Sequence, residues 1–567
     1  MTAAPQAAID QQRPVLILGA GINGCALARE LVLNRVPVCL VDTADIASGT
    51  SAYSTRLIHG GLRYLEYGEF DLVRESLEER TRLLRLAPQF VRPIELFIPT
   101  ESRLSGAFST TARMLRLGGA ASTKGRGSWL VRCGLWLYDR FAHDPALPQH
   151  ETHRVGEGNV PAVDSGRYRY LSSYYDAQIV LVERYVLALL EDARIAAAAN
   201  GTRLDVRTYH CARRAGKHFA LHSTLSGASP DDVTDSFMPS AVVNCTGAWV
   251  DWTLDELALD SPKLLAGTKG SHFLTSSPAL IAKLGTRGVY VESADDARPI
   301  FILPFDGRVL VGTTDIPYTE RPETAVASEN EIAYLIRGAN QVFPDVALTR
   351  NDVDMHYSGV RPLPRTDDKS TASVTRRHWL HEHHGIVPPT YSLIGGKLTT
   401  SRSLGETAAN TVMTKLAVKR TADSRARIVP GGERYPDGDA ALTEQQQTMA
   451  SETGFTLPQV RASWRIYGTT AGEHLRGENG SVDNASLAGT DLPLRIVRRV
   501  IRDEWVTRLD DLVERRLMLL FAPLGRETLV ELAKMLVDAG RLAPDDIERE
   551  IATTIDRLNN HFGKAVV

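Results

Sequence analysis

The chain has 567 residues, 43% hydrophobic and 23% charged, an ordinary globular balance with room for roughly three domains. Its net charge of −3 argues against a general nucleic-acid binder, which needs a clear basic excess. Five cysteines without a CxxC pair exclude a disulfide framework and give no support for a zinc or iron–sulfur centre, so no metal is expected and a reducing compartment fits.

Residues 1–12 have neither a basic n-region nor an apolar h-region and read as a disordered lead. No run of about 18 uncharged apolar residues occurs, so no membrane-spanning helix is expected. Val15-Leu16-Ile17-Leu18 reads as a buried parallel strand, 22–33 as a helix, and Val38-Cys39-Leu40-Val41 as a second strand ending at Asp42. Residues 47–67 read mostly as loop and 72–86 as an amphipathic helix. Residues 101–140 mix basic and apolar residues. A helix over 185–200 precedes alternating strands at 206–213 and 218–225, then a buried strand at 241–244. From 273 to 311 strands dominate, with Asp306-Gly307 as a hairpin signal. Helices are expected over 329–342 and 399–416. A Pro/Gly-rich break at 430–438 marks a boundary, and 442–454, 457–467, 494–521 and 526–562 read mostly as helix.

Between the first strand and helix lies Gly19-Ala20-Gly21-Ile22-Asn23-Gly24. GxGxxG alone is weak, but here it follows a strand, opens a helix and has Asp42 about 20 residues on. Gly19 permits the sharp turn, Gly21 the approach of backbone to a pyrophosphate, and Gly24 close helix–strand packing. The helix N-terminus receives the phosphates, with Ile22 and Asn23 in its first turn. Asp42 accepts from ribose hydroxyls, which disfavours a 2′-phosphate. The fingerprint does not separate FAD from NAD. Residues 241–244 running into Cys245-Thr246-Gly247 resemble the place where a flavoprotein chain passes the dinucleotide again, which favours FAD.

Further stretches carry a family resemblance. They are 50–66 with Ile58-His59-Gly60-Gly61-Leu62-Arg63-Tyr64-Leu65-Glu66, then Gly312-Thr313-Thr314-Asp315, Ser358-Gly359-Val360-Arg361-Pro362-Leu363 and Gly395-Gly396-Lys397-Leu398-Thr399-Thr400. Supporting matches are Lys269-Gly270-Ser271-His272, Gly134-Leu135-Trp136-Leu137-Tyr138-Asp139 and the tail residues 503–516. In this order they resemble the respiratory, quinone-linked FAD-dependent glycerol-3-phosphate dehydrogenases. The resemblance implies a D-amino-acid-oxidase-like fold, α/β plus α+β. A discontinuous Rossmann-type FAD domain would comprise 13–100, 160–265 and 351–429. An insertion at 101–159, a β-rich substrate or cap domain at 266–350, and a helical C-terminal domain at 430–567 complete it. It further implies oxidation of sn-glycerol 3-phosphate to dihydroxyacetone phosphate, with electrons passing through FAD to a membrane quinone. The enzyme would sit on the cytoplasmic face of the inner membrane, and a homodimer is an expectation. Gln178 and Arg502-Asp503-Glu504 depart from the family pattern, where an Arg and a His-Glu pair are common.

A small phosphate dianion needs fixed cations, and Arg63, Arg361 and Lys397, with Tyr64 beside them, are the candidates. His59 is the first candidate for the base, since a positioned base contributes about 10²–10⁴-fold. His272 is weaker, and Arg361 could steady an alkoxide. Thr50, Ser51, Ser54, Gly60 and Gly61, with Thr246 and Gly247, fall to the cofactor. The turn Gly396, Lys397, Leu398 and Thr399 would present a helix start to the flavin. Arg113, Arg116, Lys124, Arg126 and Arg132 lie among Leu115, Leu117, Trp129, Leu135 and Trp136. That mixture suits either an anionic membrane surface or a solvated insertion. The competing functions are an oxidase of glycerol phosphate or of amines on the same fold, and a non-catalytic FAD-binding redox sensor.

Overall fold

The computed structural model describes residues 13–66, 68–102, 128–142, 144, 147–227, 229, 232–365, 378–476 and 484–567. The expected lead at 1–12 and the basic residues Arg113, Arg116, Lys124 and Arg126 lie outside the described residues, as do the side chains of Arg63 and Trp129.

A six-stranded sheet forms the cofactor half. Its order is Trp379–His383, Thr390–Ile394, Ala241–Asn244, Val15–Leu18, Val38–Val41, Leu204–Arg207. Every pair is parallel except the edge pair between Trp379–His383 and Thr390–Ile394. Its central strands are fully buried, which is why they are continuous apolar runs rather than alternating ones. The helix Ile22–Leu33 follows the first strand and is buried on nearly every side. Its two central charges are paired: Arg29 meets Asp192 at 2.6 Å and Glu30 meets Arg420 at 2.6 Å. Leu27 and Leu31 are fully buried, at about 1.5–3 kcal/mol each. The helix Ser401–Lys415 crosses it closely. A β-carbon on Gly405 would lie 2.9 Å from the Ala26 carbonyl carbon, so glycine there brings the turn preceding Ser401 onto the start of the first helix.

A second, ten-stranded sheet carries the other half. Its spine is Ile316–Pro317, Leu265–Thr275, Arg308–Gly312, Pro299–Phe305, Gly288–Glu292, Val91–Thr100, Tyr170–Ile179 and Leu57–Ile58, with Met355–Pro364 pairing along Leu265–Thr275 and Glu151–Arg154 along Tyr170–Ile179. Phe305 pairs with Arg308 across Asp306 and Gly307, whose φ values are +51° and +75°. Two positive φ values are what a tight hairpin turn requires. Gln178 is buried at 8% exposure and donates to the Pro304 carbonyl at 2.9 Å, so the amide ties two strands of this sheet together. A three-stranded sheet, Val233–Phe237, His218–Ser223 and His210–Ala215, flanks the first.

Beyond 438 the described elements are helical. The stretch 494–521, read as mostly helix, is broken into short pieces. The helix Leu494–Asp503 ends, Trp505 takes φ +52°, and a π-helical turn spans Asp511–Arg516. The loop at 47–67 likewise contains the short strand Leu57–Ile58 and the helix Leu62–Glu66. Residues 526–562 split into Arg526–Asp538 and Ile547–Phe562. None of the helices among the described residues is long and apolar enough to cross a membrane.

Candidate active site

A cleft of about 1230 Å³ opens along the carboxyl ends of the parallel strands, bounded by Gly19–Asn23, Asp42, Thr50–Thr55 and Gly395–Thr399. This is where open α/β sheets bind ligands. The three glycines of the fingerprint have separable roles. Gly19 has φ +101°, and a β-carbon there would meet the Cys245 carbonyl oxygen at 2.7 Å. A β-carbon on Gly24 would lie 1.9 Å from the Gly19 carbonyl oxygen, so the helix can pack on the strand only without one. A β-carbon on Gly21 would meet only Ser51 Oγ, at 3.4 Å, which leaves this stretch of backbone open to the cleft. Those are the shapes a pyrophosphate needs.

Asp42 accepts from Ala20 N at 2.7 Å and from Ala44 N at 2.9 Å. Its burial pushes the carboxyl up to about 6, outweighing the two N–H donors. It retains a surface on the cleft where a ribose could donate to it. Ser51 Oγ accepts from Ile22 N at 3.0 Å, capping the helix start, while Thr50 Oγ1 donates to the Val360 carbonyl at 2.7 Å. Ser54 Oγ accepts from Arg56 N at 3.2 Å. Thr246 donates its N–H and its hydroxyl to Asn244 Oδ1 at 3.2 and 2.6 Å, and Gly247 has φ +61°. FAD fits this donor set and this open backbone.

At the other end the sequence-separated motifs meet. Gly396, φ +105°, passes so close to the first helix that a β-carbon would sit 2.7 Å from Asn23 Nδ2. Thr399 Oγ1 accepts from His59 N at 3.1 Å, joining the His59 loop to the Gly395–Thr400 turn. Lys397 Nζ stands 3.8 Å from the centre of the Tyr64 ring, a cation–π distance. Tyr64 can fold back there because Gly61, φ +80°, has no β-carbon; one would lie 2.1 Å from Tyr64 Cδ2. Gly60 N donates to the Tyr138 hydroxyl at 2.8 Å, and Leu398 lies on the wall of the cleft.

Arg361 is held by the turn after Arg308–Gly312. Its Nη1 donates to Asp315 Oδ1 at 3.1 Å, and its Nη2 to Thr313 Oγ1 at 2.7 Å and the Thr314 carbonyl at 3.1 Å. Asp315 also faces Arg298 at 3.6 Å, and Arg298 in turn faces Asp296 at 3.4 Å. His272 is only 1% exposed; its Nε2 lies 2.9 Å from Thr55 Oγ1 and its ring stacks on Tyr357 at 5.0 Å. Burial, then Arg361 and Arg56, hold its pKa well below the usual histidine range. It supports the strands beneath Arg361. His59 keeps part of its surface on the cleft, with its ring edge-on to Phe301 at 6.5 Å.

Sequence reasoning missed three features. Gly270 lets Arg361 lie across its strand, since a β-carbon would meet Arg361 Nη2 at 2.1 Å. Trp249 donates to Glu323 at 2.6 Å and packs where Gly49 leaves room. Arg508, Arg515, Arg557 and His561 bring the C-terminal helices to the cleft. A strand glycine two residues before His272 was the signal for the first; the others depend on contacts between segments distant in sequence.

The model of the FAD-dependent oxidoreductase family (DAO) matches residues 14–402. A glycerol-3-phosphate dehydrogenase of Synechocystis is 36% identical over 74% of this chain and 74% of its own length. A D-erythritol 1-phosphate dehydrogenase of Brucella abortus is 31% identical over 88% of this chain and 93% of its own. In fold, the chain matches the glycerol-3-phosphate dehydrogenase of Bacillus halodurans, solved with FAD. The TM-score is 0.69 at 20% identity, over 97% of this chain and 95% of that one. The chain therefore belongs to the family of FAD-dependent oxidoreductases, with FAD as its cofactor.

Proposed function

We propose that this enzyme oxidises sn-glycerol 3-phosphate at C2 to dihydroxyacetone phosphate and passes the electrons to a membrane quinone. One observation carries the reading. Arg361, Lys397, Tyr64 and His59 all border the same cleft, which the Gly395–Thr399 turn also lines. Arg361 and Lys397 are the cations on this cleft that would meet a phosphate dianion. In this reading Arg361 offers the planar fork and Lys397 the point charge. Arg63 belongs to the motif of His59 and Tyr64.

FAD, when bound, supplies the hydride acceptor. The His59 imidazole takes the proton of the C2 hydroxyl, and Arg361 steadies the developing alkoxide. The start of the helix Ser401–Lys415 aims its positive end toward the reacting region. Peripheral attachment to the cytoplasmic face of the inner membrane accords with the exposed Trp136 (62%) on the basic helix Ser128–Ala142.

Anaerobic addition of glycerol 3-phosphate to the purified holoenzyme should bleach the oxidised-flavin absorbance. Persistent yellow colour would exclude the dehydrogenase and favour a redox sensor. Turnover with a quinone analogue but without stoichiometric hydrogen peroxide separates the enzyme from an oxidase. The Brucella relative makes D-erythritol 1-phosphate the second substrate to compare, by kcat/KM against glycerol 3-phosphate.

A further inference from the structure

The C-terminal helices grip one element of the cofactor half at two points: the loop joining Val38–Val41 to Leu57–Ile58. At its start, Asp45 has a fully buried side chain. It accepts from Arg515 Nε at 2.5 Å and from Arg516 Nη1 and Nη2 at 2.5 and 2.7 Å. Both arginines belong to the π-helical turn Asp511–Arg516, a distortion that recurs at functional sites. Near the loop's end, the Tyr53 hydroxyl accepts from Arg557 Nη2 at 3.2 Å, and its ring lies 5.8 Å from His561. Arg557 also pairs with Glu514 of the π-helical turn, so the two grips are one network.

Between the grips lie Thr50 and Ser51. Ser51 caps the start of the first helix beside Gly21, and Thr50 is tied to Val360 next to Arg361. The loop thus touches the backbone open to the pyrophosphate on one side and the strand bearing Arg361 on the other. Burial alone would push the Asp45 carboxyl up, but Arg516 and Arg515 outweigh it and hold it at about 2, so the pair stays ionic. Buried ion pairs are poor sources of net stability compared with apolar packing. Their presence here calls for a geometric reason, and fixing the shape of a cofactor loop supplies one.

We propose that the C-terminal helical region is a clamp on FAD, with Asp45 and Tyr53 as positioning residues that hold the loop between them in its cofactor-binding shape. Neither touches the reacting atoms; both act through Thr50 and Ser51.

The test uses the full chain, stripped of FAD and titrated back while flavin fluorescence is followed. Asp45→Asn should weaken FAD binding by about tenfold or more. Tyr53→Phe, which removes a single hydroxyl, should weaken it by about threefold. KM for glycerol 3-phosphate at saturating FAD should stay within about twofold for both. The comparison variant is Arg465→Gln. Arg465 ties the same helical region to Asp306 at 2.7 Å, in the hairpin of the second sheet and not in the loop. It should leave FAD affinity within about twofold. The clamp is overturned if Tyr53→Phe, folded by circular dichroism, binds FAD as the parent does. It is equally overturned if Arg465→Gln weakens FAD as much as Asp45→Asn. Should Asp45→Asn fail to fold, Tyr53→Phe and Arg465→Gln decide.

Discussion

Gly270→Ala tests the phosphate role of Arg361 without removing it. The added β-carbon would start 2.1 Å from Arg361 Nη2 and 2.7 Å from Thr313 Oγ1. Contact at 3.4 Å is ordinary, so the guanidinium must shift by about 1.3 Å. It is the far end of a flexible side chain, so the strand pair of Leu265–Thr275 and Met355–Pro364 can stay in register. The shift breaks the 2.7 Å bond to Thr313 and misaims the fork. A hydrogen bond to a charged group contributes about 1.5–3 kcal/mol, and every 1.4 kcal/mol is about tenfold. We expect kcat/KM for glycerol 3-phosphate to fall by about 10- to 100-fold. FAD content should be unchanged. Steady-state kinetics with a quinone analogue, beside the flavin-to-protein absorbance ratio, reads both. A kcat/KM within about twofold of the parent would remove Arg361 from the phosphate site.

His59→Asn should cut anaerobic flavin reduction by about 10²-fold or more while substrate affinity holds; an unchanged single-turnover rate with intact FAD would move the base elsewhere. Gly24→Ala forces a β-carbon to within 1.9 Å of the backbone oxygen of Gly19, so the purified protein should carry little or no FAD. FAD affinity of the apoprotein should fall as pH drops through about 6, because burial raises Asp42 from 3.8 to that value. The charged form costs stability in the apoprotein above that pH. Ribose donors favour the carboxylate, so binding releases a proton and weakens by up to about tenfold per pH unit below it. Asp42→Asn should flatten that slope in a fluorescence titration.

The parallel core was legible because its physics is local. Four-residue apolar runs and a glycine turn locate Val15–Leu18, Ile22–Leu33, Val38–Val41 and Ala241–Asn244 at the positions read from sequence. Glu329–Val342 and Leu457–Tyr467 were equally clear, each opened by a capping box. Three ten-residue strands of the second sheet went unread, Tyr170–Ile179 and two that carry proline. Val91–Thr100 contains Pro93 and Pro99, and Met355–Pro364 contains Pro362 and Pro364. Proline argues against a strand when only the sequence is seen, and pairing along their length decides otherwise. In the site, the motifs named Lys397, Arg361 and His59. Their lining of one cleft, the Asp315 partner and the C-terminal wall depend on which distant segments come together, which no periodicity reports. The break after Asp503 was hidden by an apolar pattern that continues through it.

The order of the parallel sheet has a temporal consequence. The strand Val15–Leu18 lies beside Ala241–Asn244, which in turn pairs with Thr390–Ile394. At about 5–20 residues per second, the last of these leaves the ribosome roughly 20–75 s after the first. The turn at Gly395–Thr400 that closes one end of the cleft follows it, and Arg515 and Arg516 follow later still. The glycine fingerprint is therefore among the first segments made and among the last to become a finished pocket. FAD must be captured by a chain whose synthesis is nearly complete, and until then the nascent apolar strands depend on other cover.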